Sequence, residues 1–431
     1  MLAVDEYSKA ISGERKEPLR IALFHNTNGG GAKRAVYHLC EGLLKRGHSI
    51  DVFVPDTANE SYLPLSTLGI SINRYGPICK PPTLNVRPFL IESCFDFLHQ
   101  WRYQVKSKAL NLRIALHIDH SNYDVVWVDR CRATSSPFIL RYLKTPAVYY
   151  CHEPWREGYE NMESEKLSNG SPRDSILYQA YSRLCNWSKK SQRLYLRYLD
   201  RTNAQRAARL LTNSRYTSEY IGRAYGKEAQ VSYLGVDMEL FRPLWRKREG
   251  VVLSVGRLQK LKRHELTIQA LGLIPIWKRP KCVIIADRES ARNTSELKAL
   301  AKELRVDLEI IFNVDDIELV DWYNRATLVC YVPIREPFGM VPIEAMACGT
   351  PVIGAREGGP TESIIDGATG FLIDPKPDTC AKAIETLMDD AQLREEIGRS
   401  AVEHVRKNWT WESAVERFER HLYEVSTECV E

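Results

Sequence analysis

Glu336 and Glu344 stand eight positions apart in the stretch "EPFGMVPIEAMACGTPVIGA", with Pro-Phe-Gly wedged after the first. The preceding "ATLVCYVP" reads as a buried strand ending in Pro333, and "MVPIEAMAC" as a helix with Pro342 in its first turn, where a missing N–H costs nothing. Gly349 supplies the C-terminal cap. The loop between them therefore lies at the carboxyl end of a strand and faces a helix N-terminus, whose free N–H groups and positive dipole favour a phosphate. Gly339 lets the backbone come close to a ligand. Carboxylates beside a phosphate site make sense if the ligand also carries hydroxyls, because one carboxylate accepts two of them. A nucleotide sugar has this make-up, with Glu336 at a hexose, the helix start at a diphosphate and Glu344 at a ribose. On the residues alone, a solvated loop glutamate and a helix-surface glutamate explain the pair equally well.

Other residues invite the same question. Gly29, Gly30 and Gly31 open a helix after "RIALFHNT", but their spacing is not the GxGxxG of a dinucleotide site, and a flexible turn stays open. His152 ends the strand "PAVYYCH", where a lone histidine is more often structural than catalytic. Asn213 and Ser214 are placed to cap a helix. From Tyr181 to Arg209 eight Lys or Arg face the single acid Asp200, with Trp and Tyr interleaved. Arg193, Arg197 and Arg201 recur every four residues and line one helical face. "VRPFLIESCFDFLHQWRYQVKSKALNLR" is a second aromatic, mostly basic segment. Such helices suit anionic lipid headgroups or a lipid-linked pyrophosphate, and a solvated helix packed on the core explains them equally.

Positioning these residues takes a regular scaffold. "RIALFHNT", "NGGGAKRAVYHLCEGLLKRGHSI" and "DVFVP" form a strand, a helix and a strand, and "DVVWVDR", "PAVYYCH" and "ARLLTNS" continue the alternation. A break with Pro and a charge run at "GVDMELFRPLWRKREG" precedes a fresh strand, "VVLSVGR". "KCVIIAD", "DLEIIF", "ATLVCYVP", "TPVIGAR" and "GFLIDP" then repeat the grammar. The expectation is an α/β protein of two doubly wound, Rossmann-like domains facing a central cleft. Its parts are a polar leader (1–16), a first domain (17–240), a second domain carrying the glutamate pair (241–405) and a terminal helix docking across both (406–431).

Composition sets bounds. A chain of 431 residues, 44% hydrophobic and 27% charged, is long enough for two or three cores and too apolar for a disordered one. A net charge of +5 is too mild to argue for nucleic acid. The 11 cysteines are scattered without a CxxC pair, which predicts reduced thiols in the cytoplasm. The polar N-terminus lacks a signal-peptide core, and no apolar run is long enough to span a membrane. Neither a DxD triplet nor a His/Cys cluster with ligand spacing occurs, so no metal and no separate cofactor is expected.

The stretch "EPFGMVPIEAMACGTPVIGAREGGPTESIIDGATGFLIDP" closely resembles the donor-site signature of retaining GT-B glycosyltransferases of family 4, whose E-x7-E motif falls on Glu336 and Glu344. "NGGGAKRAVYHLCEGLLKRGH", "NSRYTSEYI", "GVDMELFRP" and "VGRLQKLKRHELTIQAL" follow in the family's order, so the likeness covers most of the chain. It implies that Glu336 contacts the transferred hexose, that amides of Phe338, Gly339, Met340 and Val341 meet sugar and diphosphate, and that Glu344 binds ribose. Arg257 and Lys262 match the basic pair that neutralises the departing diphosphate, with Lys262 preferred to Lys260 on spacing. The same likeness implies that Gly30 and Gly31 approach the donor phosphate, and His152 matches an active-site histidine near the sugar. The chain departs from the family at Lys262-Arg263, where Lys-Gly is usual, and at "IIADRES", which replaces a glycine-rich turn. The first alters the start of a helix, and the second bears on how the base is held.

The resemblance implies a retaining hexosyltransferase, with "FGMVPIEAM", "EGGPTESI" and "YYCHEP" pointing toward GDP-mannose-dependent α-mannosyltransferases of lipid-linked glycans. UDP-hexose donors, a sugar phosphorylase or synthase, and an inactive nucleotide- or carbohydrate-binding protein are alternatives. An NAD-dependent oxidoreductase ranks last because neither half pairs GxGxxG with a ribose-binding acid.

Overall fold

A computed structural model describes residues 17–27, 29–77, 89–132, 134–160, 176–244 and 246–428, with the side chains of 89–101 and 176–189 left aside. The 1–16 leader lies outside the described residues, as do Cys79 and Cys429. Alternating apolar strands and amphipathic helices build two parallel sheets. The first half contains β1 (Arg20–Asn26), α1 (Gly31–Lys45), β2 (Ser49–Pro55), β3 (Ser71–Tyr75), α2 (Phe89–Asp119), β4 (Val125–Cys131) and β5 (Ala147–Tyr150). It continues with α3 (Arg156–Tyr159), α4 (Ile176–Ala204), β6 (Arg209–Thr212), α5 (Arg215–Tyr225) and β7 (Gln230–Val231). Its strand order is β3-β2-β1-β4-β5-β6-β7.

The second half runs through β8 (Val251–Val255), α6 (His264–Leu273), β9 (Lys281–Ala286), α7 (Ala291–Glu303), β10 (Leu308–Phe312) and α8 (Asp316–Arg325). β11 (Leu328–Tyr331), α9 (Met340–Ala347), β12 (Val352–Ala355), α10 (Pro360–Ser363) and β13 (Gly370–Ile373) follow, in the order β10-β9-β8-β11-β12-β13. All these strand pairs are parallel, the geometry of a sheet with helices on both faces. The expected pair of doubly wound domains is therefore present. Short β3 and β7 carry too little apolar pattern to stand out in the sequence.

Strand order reverses between β1 and β4 in one sheet and between β8 and β11 in the other. Ligands bind outside the carboxyl ends of strands at such reversals. Gly29–Gly31, Arg257 and Glu336 follow three of these strands, and Asp129 lies near the carboxyl end of the fourth, β4.

The chain finally runs through α11 (Pro377–Asp389) and α12 (Ala391–Asn408) into α13 (Trp411–Thr427), which returns to pack on α1, β4 and β5 of the first sheet. Val415, Phe418 and Leu422 are buried there, with the Phe418 ring 4.7 Å from Trp127. Trp411 is half-buried and stacks on His38. A single apolar cluster runs from Ile21 and Trp127 through Phe241 to Val329, Phe338 and Phe418, so one core underlies both sheets.

Candidate functional site

Gly358, Gly359 and two hydroxyls from the first half hold the Glu336 loop. Gly359 N–H donates to Glu336 O (2.8 Å), while Ser214 Oγ and Thr217 Oγ1 from the first half both donate to Pro337 O. A Cβ on Gly358 would lie 2.5 Å from Glu336 O, and one on Gly359 2.4 Å from Phe338 Cα. The Gly-Gly of "EGGP" is thus required by direct backbone contact with the loop. With its carbonyls tied down, the loop leads into α9 through Gly339 at φ +88°, and the first N–H groups of α9 have no intrahelical acceptor. Phe338 buries its ring among Tyr233 and Trp409, so any ligand contact from it must come through its amide.

Both glutamates are partnered rather than solvated. Lys262 Nζ donates to Glu336 Oε2 at 2.7 Å and lies 5.6 Å above the Tyr331 ring. Lys260 is exposed. Glu344 is buried, accepts Tyr323 Oη–H at 2.9 Å and lies 3.9 Å from Arg34 Nη1. Burial pushes its carboxyl above the usual range, against the opposing pull of Arg34 and the Tyr323 hydrogen bond. Arg34 Nη2 also pairs with Asp316 across the cleft at 2.5 Å.

Arg257 is exposed and lines a recess of ≈180 Å³ with Asp287, Arg288, Glu289, Ser290 and Asn293. The unusual "ADRES" turn therefore flanks Arg257. Arg263 takes the left-handed φ of +49° that favours glycine, and its guanidinium is held by Glu357 and the Val332 carbonyl. The helix α6 begins regardless of the substitution.

On the opposite side, Gly30 has φ +89° and open space where a Cβ would stand, and a Cβ on Gly31 would lie 3.9 Å from Met340 Cγ. The glycine turn thus faces the start of α9. Beneath it lies a buried cluster that sequence reasoning missed: Lys33 donates to Glu60, and His25 Nε2 sits 3.0 Å from the same carboxylate oxygen. Burial alone would raise Glu60, but His25 and Lys33 outweigh it and hold the carboxyl at about 2. His152 is buried, with Nε2 3.2 Å from Asp129 Oδ2 and its ring 4.8 Å from Tyr150. A carboxylate on one ring nitrogen orients an imidazole. Asp129 had one legible signal, as an acid ending a strand on the same sheet edge as His152.

Ser214 caps α5 by accepting Thr217 N–H at 3.0 Å, as its sequence position suggested, and Asn213 Nδ2 donates to His152 O. The arginine stripe is engaged by neighbouring segments. Arg193, Arg197 and the exposed Arg201 share a face: Arg193 donates to the Gly158 and Glu160 carbonyls, Arg197 lies over Tyr159, and Arg201 donates to Tyr225 O. Helix geometry fixes which residues share a face, and only the neighbouring segments decide where that face points. The exposed side of α4 presents Leu194, Tyr195 and Tyr198, at 54%, 46% and 62% exposure.

Two family models match in tandem: "Glycosyltransferase Family 4" over residues 29–240 and "Glycosyl transferases group 1" over 237–404. The chain belongs to the GT-B glycosyltransferases of the group 1 and family 4 type. Among curated relatives, a D-inositol 3-phosphate glycosyltransferase of Acidothermus cellulolyticus is 36% identical over 49% of this chain and 52% of its own. The chain spans about half the length of such relatives. The human α-1,3/1,6-mannosyltransferase ALG2 is 24% identical over 71% of this chain and 74% of its own. Among solved structures, sucrose-phosphate synthase of Thermosynechococcus elongatus superposes with a TM-score of 0.71 at 20% identity, covering 94% of this chain and 99% of that one. Anabaena Alr3699/HepE in complex with UDP and glucose gives 0.68 at 18% identity, with the same coverage. At such identities these structures speak for the GT-B fold alone.

Proposed function

We propose that this GT-B protein is a retaining hexosyltransferase that moves mannose from GDP-mannose to a hydroxyl of a glycan or lipid-linked acceptor. The observation that carries the reading is the Glu336 loop, with its carbonyls tied down, the start of α9 beside it, Lys262 on Glu336 and Glu344 buried behind. The hexose sits at Glu336, the diphosphate between α9, Lys262 and Arg257, and the ribose at Glu344. As the bond from anomeric carbon to phosphate oxygen breaks, negative charge grows on the leaving group, and fixed cations lower its cost. The acceptor oxygen attacks from the same face and its proton passes to the departing phosphate, so configuration is retained. Arg257 and Lys262 supply the compensating charge in place of a metal. His152, oriented by Asp129, borders the sugar.

The mannosyl assignment draws on the likeness to ALG2 over most of the chain. A UDP-hexose donor is the second reading, favoured by the UDP and glucose bound in HepE. For the acceptor side, Leu194, Tyr195 and Tyr198 on α4 and Val105, Leu112 and Leu116 on α2 form exposed apolar ground, joined where Lys108 Nζ meets Tyr195 Oη at 3.4 Å. With Arg102, Lys106 and Lys190 exposed around it, this face suits peripheral contact with an anionic membrane on its cytoplasmic side. Among the described residues no helix is long and apolar enough to cross a membrane.

Thermal shifts with GDP, UDP, ADP and NAD, followed by sugar release from GDP-mannose and UDP-hexoses, test the reading. A GDP-specific shift with mannose release supports it. Turnover of UDP donors alone discards mannose, and a shift with NAD alone discards the transferase.

A further inference from the structure

Arg156 opens the short helix α3, four residues after His152 in "CHEPWREGY". Its Nε pairs with Glu153 Oε1 at 2.9 Å and lies 3.7 Å from Glu160 Oε2. Its Nη2 reaches across the cleft and donates to the carbonyls of Ile334 and Arg335, the two residues before Glu336. Arg335 adopts φ +45°, a left-handed conformation that a side-chain-bearing residue seldom takes and that persists only where the surroundings enforce it. Arg335 Nη1 in turn lies 3.8 Å from Glu160. The near end of the link is equally fixed, since Glu153 adjoins His152, whose carbonyl is held by Asn213. A Cβ on Gly158 would lie 2.2 Å from the Trp155 ring, so the turn around Arg156 has no slack.

We propose that Arg156 is a positioning residue that sets Glu336 against His152 across the cleft, so that transfer depends on a side chain touching neither donor nor acceptor. This rests on the reading of Glu336 as the residue at the transferred hexose. The guanidinium fork suits the task because its planar donors engage an acid on one side and two carbonyls on the other. Burial raises the Glu153 carboxyl and Arg156 opposes that rise, so a rival role for Arg156 is simple neutralisation of Glu153.

Arg156→Ala, Arg156→Lys and the double variant Arg156→Ala/Glu153→Gln separate the two roles. Hydrogen exchange read by mass spectrometry on the intact protein is expected to show faster exchange at residues 334–341 in Arg156→Ala, with the global melting transition retained. With GDP-mannose or UDP-glucose, kcat should fall about tenfold or more while donor KM stays within about threefold, the pattern of a lost transition-state arrangement. Arg156→Lys should recover part of kcat, since one ammonium reaches a carbonyl without reproducing the fork. Unchanged exchange at 334–341, an unchanged kcat, or full rescue by Glu153→Gln would overturn the proposal. Wild-type protein that turns over neither donor sinks the hexosyltransferase reading instead, and the exchange experiment still decides whether Arg156 pins the loop.

Discussion

The two walls of the cleft are built on different principles. The wall from the second half is made largely of backbone: glycines in contact, carbonyls tied down and a helix start left open, all within residues 334–362. The opposing wall is made of side chains gathered from far apart, with His25, Lys33 and Glu60 on one cluster and Asp129 and His152 on another. A backbone wall tolerates few substitutions at its glycines and depends little on pH. A side-chain wall tolerates small changes of shape but stakes much on buried charge.

Five substitutions test that contrast. Glu336→Gln keeps the loop's shape while removing the charge opposite Lys262, and turnover should fall on the order of 10²-fold with folding intact. Wild-type kinetics in this variant would remove Glu336 from the mechanism. Gly359→Ala drives a Cβ into the backbone of Phe338 and should cost about 1–3 kcal/mol in urea unfolding as well as turnover. Gly31→Ala on the opposite wall meets Met340 at ordinary contact distance and should change stability by only about 0.5 kcal/mol or less. Equal losses from these two alanines would erase the distinction between the walls.

Asp200 extends the contrast to buried charge in the first half. Burial raises its carboxyl to about 6, against hydrogen bonds led by the Ser136 amide. The unfolded carboxyl titrates near 4, so the native state binds the extra proton between the two values and stability falls as pH rises through that window. Asp200→Asn should therefore gain about 1–3 kcal/mol over the parent at pH 7 and nothing at pH 4, measured by denaturant unfolding at both. A gain independent of pH would assign the effect to packing. A small change is also expected from Arg263→Gly, which relieves a left-handed residue but loses the half-exposed pair with Glu357. A net shift within about 1 kcal/mol is expected by thermal unfolding, because the two effects oppose each other.

Much of the backbone wall is legible in the sequence because its parts are local. Pro342 after Gly339, the capping Gly349 and the paired glycines of "EGGP" are turn and cap chemistry, set by steric rules that act within a few residues. The structure adds what the glycines press against. Little of the side-chain wall is legible, since Arg34 and Asp316 are separated by 282 positions and Arg156 and Arg335 by 179. Neither arginine carries a local signature. The arginine stripe of α4 shows the same limit, since periodicity identifies a face without its direction.

The sequence by itself determined the two parallel α/β sheets, the strand ends where a ligand can meet a helix start, and the glutamate pair around that start. These follow from hydrophobic period, turn chemistry and the peptide dipole, which operate over one or two turns of chain. The tertiary structure alone decided that Glu344 is buried under Tyr323 and Arg34, that Asp129 backs His152, and that Arg156 reaches the carbonyls before Glu336. The reason is physical: a buried charge keeps its place only by finding a partner, and in a chain folded into two facing sheets that partner comes from whichever strand end or helix the topology brings opposite.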